Sequence, residues 1–248
     1  MPAALRIVLP PSETKAIGGV RQRSSGAFDR PLRQGRADIR SALKVLLADG
    51  DESTLGRVMN ARGDLLQRGI ATAKQTVAGR GVVMPAWQRY EGVVWGHLAP
   101  EELTDEQRSR ILIPSGLYGL NAADDLIEDY RLTMKVTLPV VGSLASFWRE
   151  AVANQLALLD GPLVNLLPKE HEVASGITSL PASQVTTVAF VQAGGNGAAG
   201  HDAKAVKGIV ASVIVREGWR GLKGFSWRGW HAEEGEQGWQ VVAPATVP

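Results

Sequence analysis

The residues of this chain that could do chemistry are cations standing beside hydroxyls. Ser12-Glu13-Thr14-Lys15 follows the pair Pro10-Pro11. Lys15 with Ser12 could hold a phosphate; the alternative is a capped turn carrying a solvated lysine. Further on, Ile113-Pro-Ser-Gly-Leu-Tyr-Gly-Leu120 places Ser115 and Tyr118 at the end of an apolar run, and Asp129-Tyr-Arg-Leu-Thr-Met134 adds Tyr130 and Arg131. A Ser-Gly pair after a buried strand lets backbone approach a ligand closely, and a guanidinium can contact phosphate or carboxylate through two nitrogens. The plainer alternative is that both tyrosines are half-buried props and that Arg131 pairs with Asp124, Asp125 or Asp129. Lys204 and Lys207 lie three apart, so a helix there shows both on one face. What remains is an anion-binding set of Lys15, Arg131, Lys204 and Lys207, with Ser12, Ser115, Tyr118, Tyr130 and Glu170 as polar companions. Spacing alone does not bring these cations together.

Other chemistries are poorly served. The chain has no cysteine, which excludes disulfides, thiol nucleophiles and cysteine-held metals. His97, His171, His201 and His231 are scattered, without His-x-x-x-His or His-Glu-x-x-His spacing, and no Gly-x-Ser-x-Gly elbow exists. Gly195, Gly197 and Gly200 satisfy Gly-x-Gly-x-x-Gly between a strand and a helix. No Gly-Lys-Ser/Thr accompanies them and no acidic strand end follows at the right distance, so a flexible loop is the stronger reading over nucleotide binding. Neither a metal nor a cofactor is expected.

At 248 residues, 44% apolar and 21% charged, the chain can build a packed core. Leu5 to Leu9 is too short for a signal-peptide core and no stretch approaches a membrane span, so a cytoplasmic protein without a membrane partner is expected. Residues 1 to 89 hold 15 Lys/Arg against 7 Asp/Glu, whereas residues 90 to 175 hold 6 against 13. That asymmetry suggests an anionic partner for the first third, or a fold that sets the basic and acidic thirds against each other.

The elements that must position these residues follow from pattern. Arg6 to Leu9 reads as a strand stopped by Pro10, and Ser12 to Lys15 then lie at its carboxyl end, where α/β sheets place ligand groups. Residues 16 to 36, with Arg21, Arg23, Arg30, Arg33 and Arg36, read as a mobile basic loop. Helices are predicted over Ala37 to Leu47, after an N-cap at Ser53, and from Asp64 toward Val77. Residues 100 to 110 read as a helix capped by Thr104 with Gln107, Val136 to Val141 as a strand, and Ser143 to Leu159 as a helix whose Phe147 and Trp148 pack. Leu163 to Leu167 and Val185 to Val191 read as strands, and a helix runs from about Ala203 to Glu217. Trp87 and Tyr90 fit packing better than base stacking. The tryptophan-rich tail from Trp219 to Trp239 fits strand pairing or a dimer patch, since Glu233, Glu234 and Glu236 repel phosphate.

The run Ser115-Gly-Leu-Tyr-Gly with Asp125-Leu, Tyr130-Arg-Leu and Met134 resembles the signature of the YaaA family, the bacterial peroxide stress proteins. Leu9-Pro-Pro-Ser-Glu-Thr-Lys15, Tyr90-x-Gly92-x-Val94-Trp95, Phe147-Trp148 with Asn154, Val164-Asn-Leu166 and Lys204-x-x-Lys207-Gly208 are also similar, in the same order. The resemblance implies an α/β (α+β) fold, a single mixed-sheet domain over 1–248 flanked by helices, with a positive cleft. It further implies double-stranded DNA as partner and protection against peroxide by limiting iron-driven damage. The family's DNA-binding helix-hairpin-helix falls within 37–77, with Arg57, Arg62 and Arg68 as contacts. The residues themselves lack the apolar-Gly-apolar-Gly hairpin, and Gly63 alone leaves an ordinary helical pair as the stronger reading. Lys204 and Lys207 match the family's lysine-rich element, which gives them a joint task facing an anion. Where the family has a polar cluster ending in Glu and Tyr, this chain has Pro168, Lys169, Glu170 and His171, so only Glu170 carries over. The alternative function is an enzyme acting on a phosphorylated or carboxylated small molecule, with Lys15 and Arg131 as clamps and Glu170 or Tyr130 as proton carriers. A third is a scaffold acting through its tail.

Overall fold

The structure is a computed structural model describing residues 5–193, 200–235 and 238–245. Arg6–Val8 is a strand, as its β-branched run predicts, and Pro10 and Pro11 end it because neither can donate to a ladder. It sits inside an eight-stranded mixed sheet flanked by helices. Across the sheet the order is Ser226–Trp227, Trp230–Gly235, Gly238–Val242, Val185–Val191, Leu163–Asn165, Arg6–Val8, Ile111–Ser115 and Gly119–Ala122. The run from Gly238–Val242 to Ile111–Ser115 pairs in parallel, and antiparallel pairing extends it at both sides. Central parallel strands are covered on both faces, which is why Ile111–Ser115 and Leu163–Asn165 are buried at every position. One cluster of buried side chains runs from Ile7 to Val241.

Strand order decides where a ligand can go. From Arg6–Val8 the chain crosses to Ile111–Ser115 on one side and later enters Leu163–Asn165 on the other. Loops leaving the carboxyl ends of these strands therefore diverge, and a crevice opens at the switch, where open α/β sheets take their ligands. Two glycines let neighbouring parts close in. A Cβ at Gly116 would lie 2.6 Å from the Leu132 carbonyl oxygen. In the helix His201–Glu217, a Cβ at Gly208 would overlap the Val94 carbonyl of the helix Val93–Leu98. The Trp148 indole donates to the Gly116 carbonyl at 3.0 Å, fixing the helix Leu144–Ala157 against the turn after Ile111–Ser115.

Tertiary contacts revise some local expectations. Segment 16–36 is not a mobile loop: Val20 bridges Val83, Ser25 bridges Leu126, and Phe28 and Leu32 are buried. Arg36 is committed there, donating to the Tyr118 and Leu120 carbonyls at 3.0 Å each and pairing with Asp29. The first long helix begins at Arg33 rather than Ala37. Asp51, not Ser53, caps Glu52–Met59, its Oδ1 accepting from the Thr54 amide at 2.7 Å. Residues 100–110 break into a 3₁₀ turn, Pro100–Glu102, and a short helix, Asp105–Arg108, with the Thr104–Gln107 capping box formed. Only Thr137–Leu138 and Gly142–Ser143 pair where a strand from Val136 was expected, and Val140 turns the chain with φ 70°. The tail supplies the antiparallel edge, with Trp230 and Trp239 buried and Trp219 stacked on Trp239 at 6.2 Å. Gly195 and Gly197 lie outside the described residues, and Gly200 is the N-cap of His201–Glu217. Among the described residues no helix is long and apolar enough to cross a membrane.

Candidate functional site

The diverging loops enclose a cleft of about 730 Å³. Lys15 reaches it from the end of Arg6–Val8, its backbone bridged to Tyr90 and its Nζ donating to the Ser12 carbonyl at 2.8 Å. The ammonium position is 4.2 Å from the Tyr130 ring centre and 5.5 Å from that of Tyr90. Lys15 is only 6% exposed. Burial lowers its pKa from 10.5 to about 7, opposed by Asp129 and reinforced by Arg131. Asp129 is engaged by Arg68 at 2.8 Å and Glu13 by Arg131 at 3.5 Å, so the nearest carboxylates are committed to other cations.

Beside Lys15 runs a chain of hydroxyls. Tyr90 and Tyr130 share a hydrogen bond of 2.8 Å, and Tyr130 shares another of 2.8 Å with Ser115 Oγ. Burial pushes Tyr130 up to about 12 and Tyr90 well above its ordinary value, so both remain protonated. Ser115 Oγ also accepts from the Tyr118 amide at 3.2 Å. The Tyr118 hydroxyl accepts from the Glu128 amide at 2.9 Å and, like its neighbours, is raised by burial. Tyr130 faces the cleft, whereas Ser115 and Tyr118 are buried behind it. Those two reach a ligand only through Tyr130, not as direct anion contacts.

The walls carry the other cations. Arg131 pairs with none of Asp124, Asp125 or Asp129. It donates to the Asn60 carbonyl at 2.8 Å and pairs with Glu13, because Asp124 is taken by Arg108, Asp129 by Arg68, and Asp125 accepts from the Ala27 and Ala122 amides. On the facing wall, Lys207 Nζ donates to the Leu166 carbonyl at 2.8 Å and lies 4.8 Å from the Phe190 ring centre. Burial lowers its pKa to about 8, against the pull of Glu172. Lys204 lines the cleft one helical turn earlier and is exposed. Glu170 pairs with Lys135 at 3.0 Å. His171 Nδ1 stands 3.8 Å from Glu170 but burial lowers the imidazole to about 4, so it is neutral near pH 7 and makes no ion pair there. Ser12 lines the cleft and accepts from the Thr14 amide at 3.2 Å.

Arg57 and Arg62 do not reach the cleft; both are exposed on either side of the turn between Glu52–Met59 and Gly63–Val77. That turn nevertheless touches the cleft wall, since Asn60 accepts from Arg131 and donates to Glu13 Oε2 at 3.3 Å. Arg68 is not free for a phosphate: it grips Asp129 and donates to the Lys15 carbonyl at 2.8 Å. Tyr90, Lys135 and His171 join the site although residue reasoning placed none of them in it. Tyr90 had a signal in its fixed spacing to Gly92 and Trp95, and His171 in its place beside Glu170 where the family pattern breaks; Lys135 had none. Among the described residues no group of three His, Asp or Glu could hold a metal ion.

Residues 5–236 match the family described as Peroxide stress protein YaaA. A UPF0246 protein of Streptomyces coelicolor is 30% identical over 223 residues, covering 86% of this chain and 83% of its own length. One from Corynebacterium efficiens is 28% identical over 219 residues, 84% of each chain. A UPF0246 protein of Lacticaseibacillus casei is 36% identical over 98 residues, covering 36% of this chain and 39% of its own. The match spans the switch strand, the Ser115 turn and the Lys204 helix alike, and the chain therefore belongs to the YaaA family of peroxide stress proteins.

Proposed function

We propose that this protein acts in the cytoplasm as a DNA-binding member of the peroxide response, limiting iron-driven damage to the duplex it covers. One observation carries the reading. Lys15, Arg131, Lys204 and Lys207, from three segments distant in sequence, line one cleft, and the turn flanked by Arg57 and Arg62 abuts its wall. Five Lys/Arg line the cleft against Glu13, Glu91 and Glu170. A cation surplus in a concave, low-dielectric wall focuses positive potential, and neutralising phosphates there releases counterions. Duplex binding measured by fluorescence anisotropy across a salt series is expected to weaken steeply with salt. Arg57→Ala with Arg62→Ala should reduce the log–log slope by about two. No binding above background at low salt, or a slope unmoved by the double substitution, would end this reading.

A second reading has its own support. The cleft volume falls within the roughly 300–1,000 Å³ of small-molecule sites, and polar groups are buried at its base. That suits a phosphorylated or carboxylated compound clamped by Arg131 and the lysines. Titration calorimetry with inorganic phosphate is expected to show saturable heat that Lys204→Ala weakens. A flat titration at millimolar phosphate would remove it.

A further inference from the structure

Lys15, like Lys207 but under two aromatic faces rather than one, sits in surroundings that anion binding does not explain. Its Nζ has one hydrogen-bond acceptor, the Ser12 carbonyl, and otherwise meets the faces of Tyr130 and Tyr90. An ammonium offers three donors and gains most beside a carboxylate. Here Asp129 and Glu13 are held by Arg68 and Arg131. The charged groups facing Lys15 are Asp129, Arg131, Glu13 and Arg89, from separate segments; burial, reinforced by Arg131 and Arg89, outweighs Asp129 and Glu13 in favouring the neutral amine. A half-neutral lysine is a weak clamp for an anion but the required state for a nucleophile, and desolvation beside another cation is how lysines are activated. Lys15 lines the cleft together with Arg131, Lys204 and Lys207.

We propose that Lys15 is an amine nucleophile that forms an imine with a small aldehyde or ketone bearing a carboxylate or phosphate, whose anionic end is held by Lys204 and Lys207. The inference rests on the small-anion reading of the cleft. The nitrogen lone pair attacks the carbonyl carbon, the C–N bond forms and the carbonyl π pair moves to oxygen. The nitrogen loses its protons to that oxygen, which departs as water, leaving C=N and requiring no oxidant or reductant. Tyr130 lines the cleft with its ring centre 4.2 Å from the Lys15 nitrogen, and its neutral hydroxyl is hydrogen-bonded to Tyr90 and Ser115; handing a proton to the carbinolamine oxygen would require it to exchange one of those partners.

The test is borohydride trapping with pyruvate, dihydroxyacetone phosphate and, as the uncharged control, hydroxyacetone, followed by intact mass and peptide mapping. Lys15 should be modified on the order of a hundredfold faster than the exposed Lys44 and Lys223 at neutral pH, by one or both anionic probes in preference to hydroxyacetone. The carboxylate and phosphate arms tell which anion the cleft takes. Trapping should rise with pH to a midpoint near 7, and inorganic phosphate should slow it. Lys15→Arg should lose the adduct. Adducts spread evenly over surface lysines, or a pH midpoint near that of an ordinary lysine, would overturn the proposal. Phosphate binding without Lys15 trapping overturns the imine alone; loss of both overturns the small-anion reading as well. The wild-type mapping and pH profile decide the matter even if the variant fails to fold.

Discussion

Lys15 makes the residue scale testable independently of any ligand. Its folded-state pKa is lowered from 10.5 to about 7, so the folded chain binds that proton more weakly than the unfolded chain. Stability therefore falls as pH drops through that window and levels off below about 7. Lys15→Met keeps most of the stem and removes the amine. The variant should exceed the wild type in melting temperature most clearly near pH 6, with the gap closing toward pH 10 as the wild-type penalty vanishes. Thermal melts across that range check it; a gap of constant size would show that desolvation of the amine is not what burial costs here. Lys15 and Arg131 could be named from the chain because they stand beside Ser12 and Tyr130, and Lys204 and Lys207 because they lie three apart and match the family's lysine-rich element, but the state of these cations could not. That Lys15 lies under two aromatic faces, and that Arg131 is shared with Glu13 and Asn60, depends on segments more than 40 residues away from either. His171 was legible only as a departure from the family pattern, and its neutral state comes from burial that no local spacing records.

At the scale of elements, strands with β-branched runs and helices with 3.6-residue periodicity were legible, since their signals are local. Leu144–Ala157, Val185–Val191 and His201–Glu217 lie close to where pattern puts them. What failed was segment 16–36, whose polar composition hides two buried anchors, Phe28 and Leu32, and a guanidinium, Arg36, that satisfies two buried carbonyls. Gly208 shows the same limit from the other side. In the sequence it only ends a lysine-rich motif, whereas in the fold it sets how closely His201–Glu217 presses on Val93–Leu98. Gly208→Ala is expected to destabilise by about 1–2 kcal/mol in urea unfolding. The Cβ meets backbone rather than a flexible side chain, and about 1 kcal/mol of gained helix propensity does not offset that overlap. The same change should weaken phosphate binding, because the helix that moves away carries Lys204 and Lys207. Unchanged stability together with unchanged affinity would show that the two helices tolerate separation.

For the whole molecule, topology turns dispersed charges into one site. The switch at Arg6–Val8 sends neighbouring loops apart: Lys15 lies past the carboxyl end of that parallel strand and Lys204 and Lys207 on the helix that follows the parallel strand Val185–Val191, while Arg131 joins them from the loop after Leu126–Glu128, a strand of a separate antiparallel pair. The cost of that arrangement is desolvation, which leaves Lys15 near 7 and Lys207 near 8 partly unprotonated when no ligand is present. An anion entering the cleft lowers the energy of both ammonium forms, so binding must draw protons from solution. At about pH 8, phosphate titrated in buffers of different ionisation enthalpy should give observed heats that differ by the proton number times the buffer difference, with net uptake of between zero and two protons. Uptake should shrink near pH 6, where both amines are already charged, and Lys207→Met should remove part of it at pH 8. Affinity for sulfate, whose charge stays constant over this range, should fall as pH rises from 6 to 9 in the wild type and fall less in the variant. Binding heats identical in every buffer would mean that Lys15 and Lys207 keep one protonation state throughout, and that the anion is held by Arg131, Lys135 and Lys204 alone.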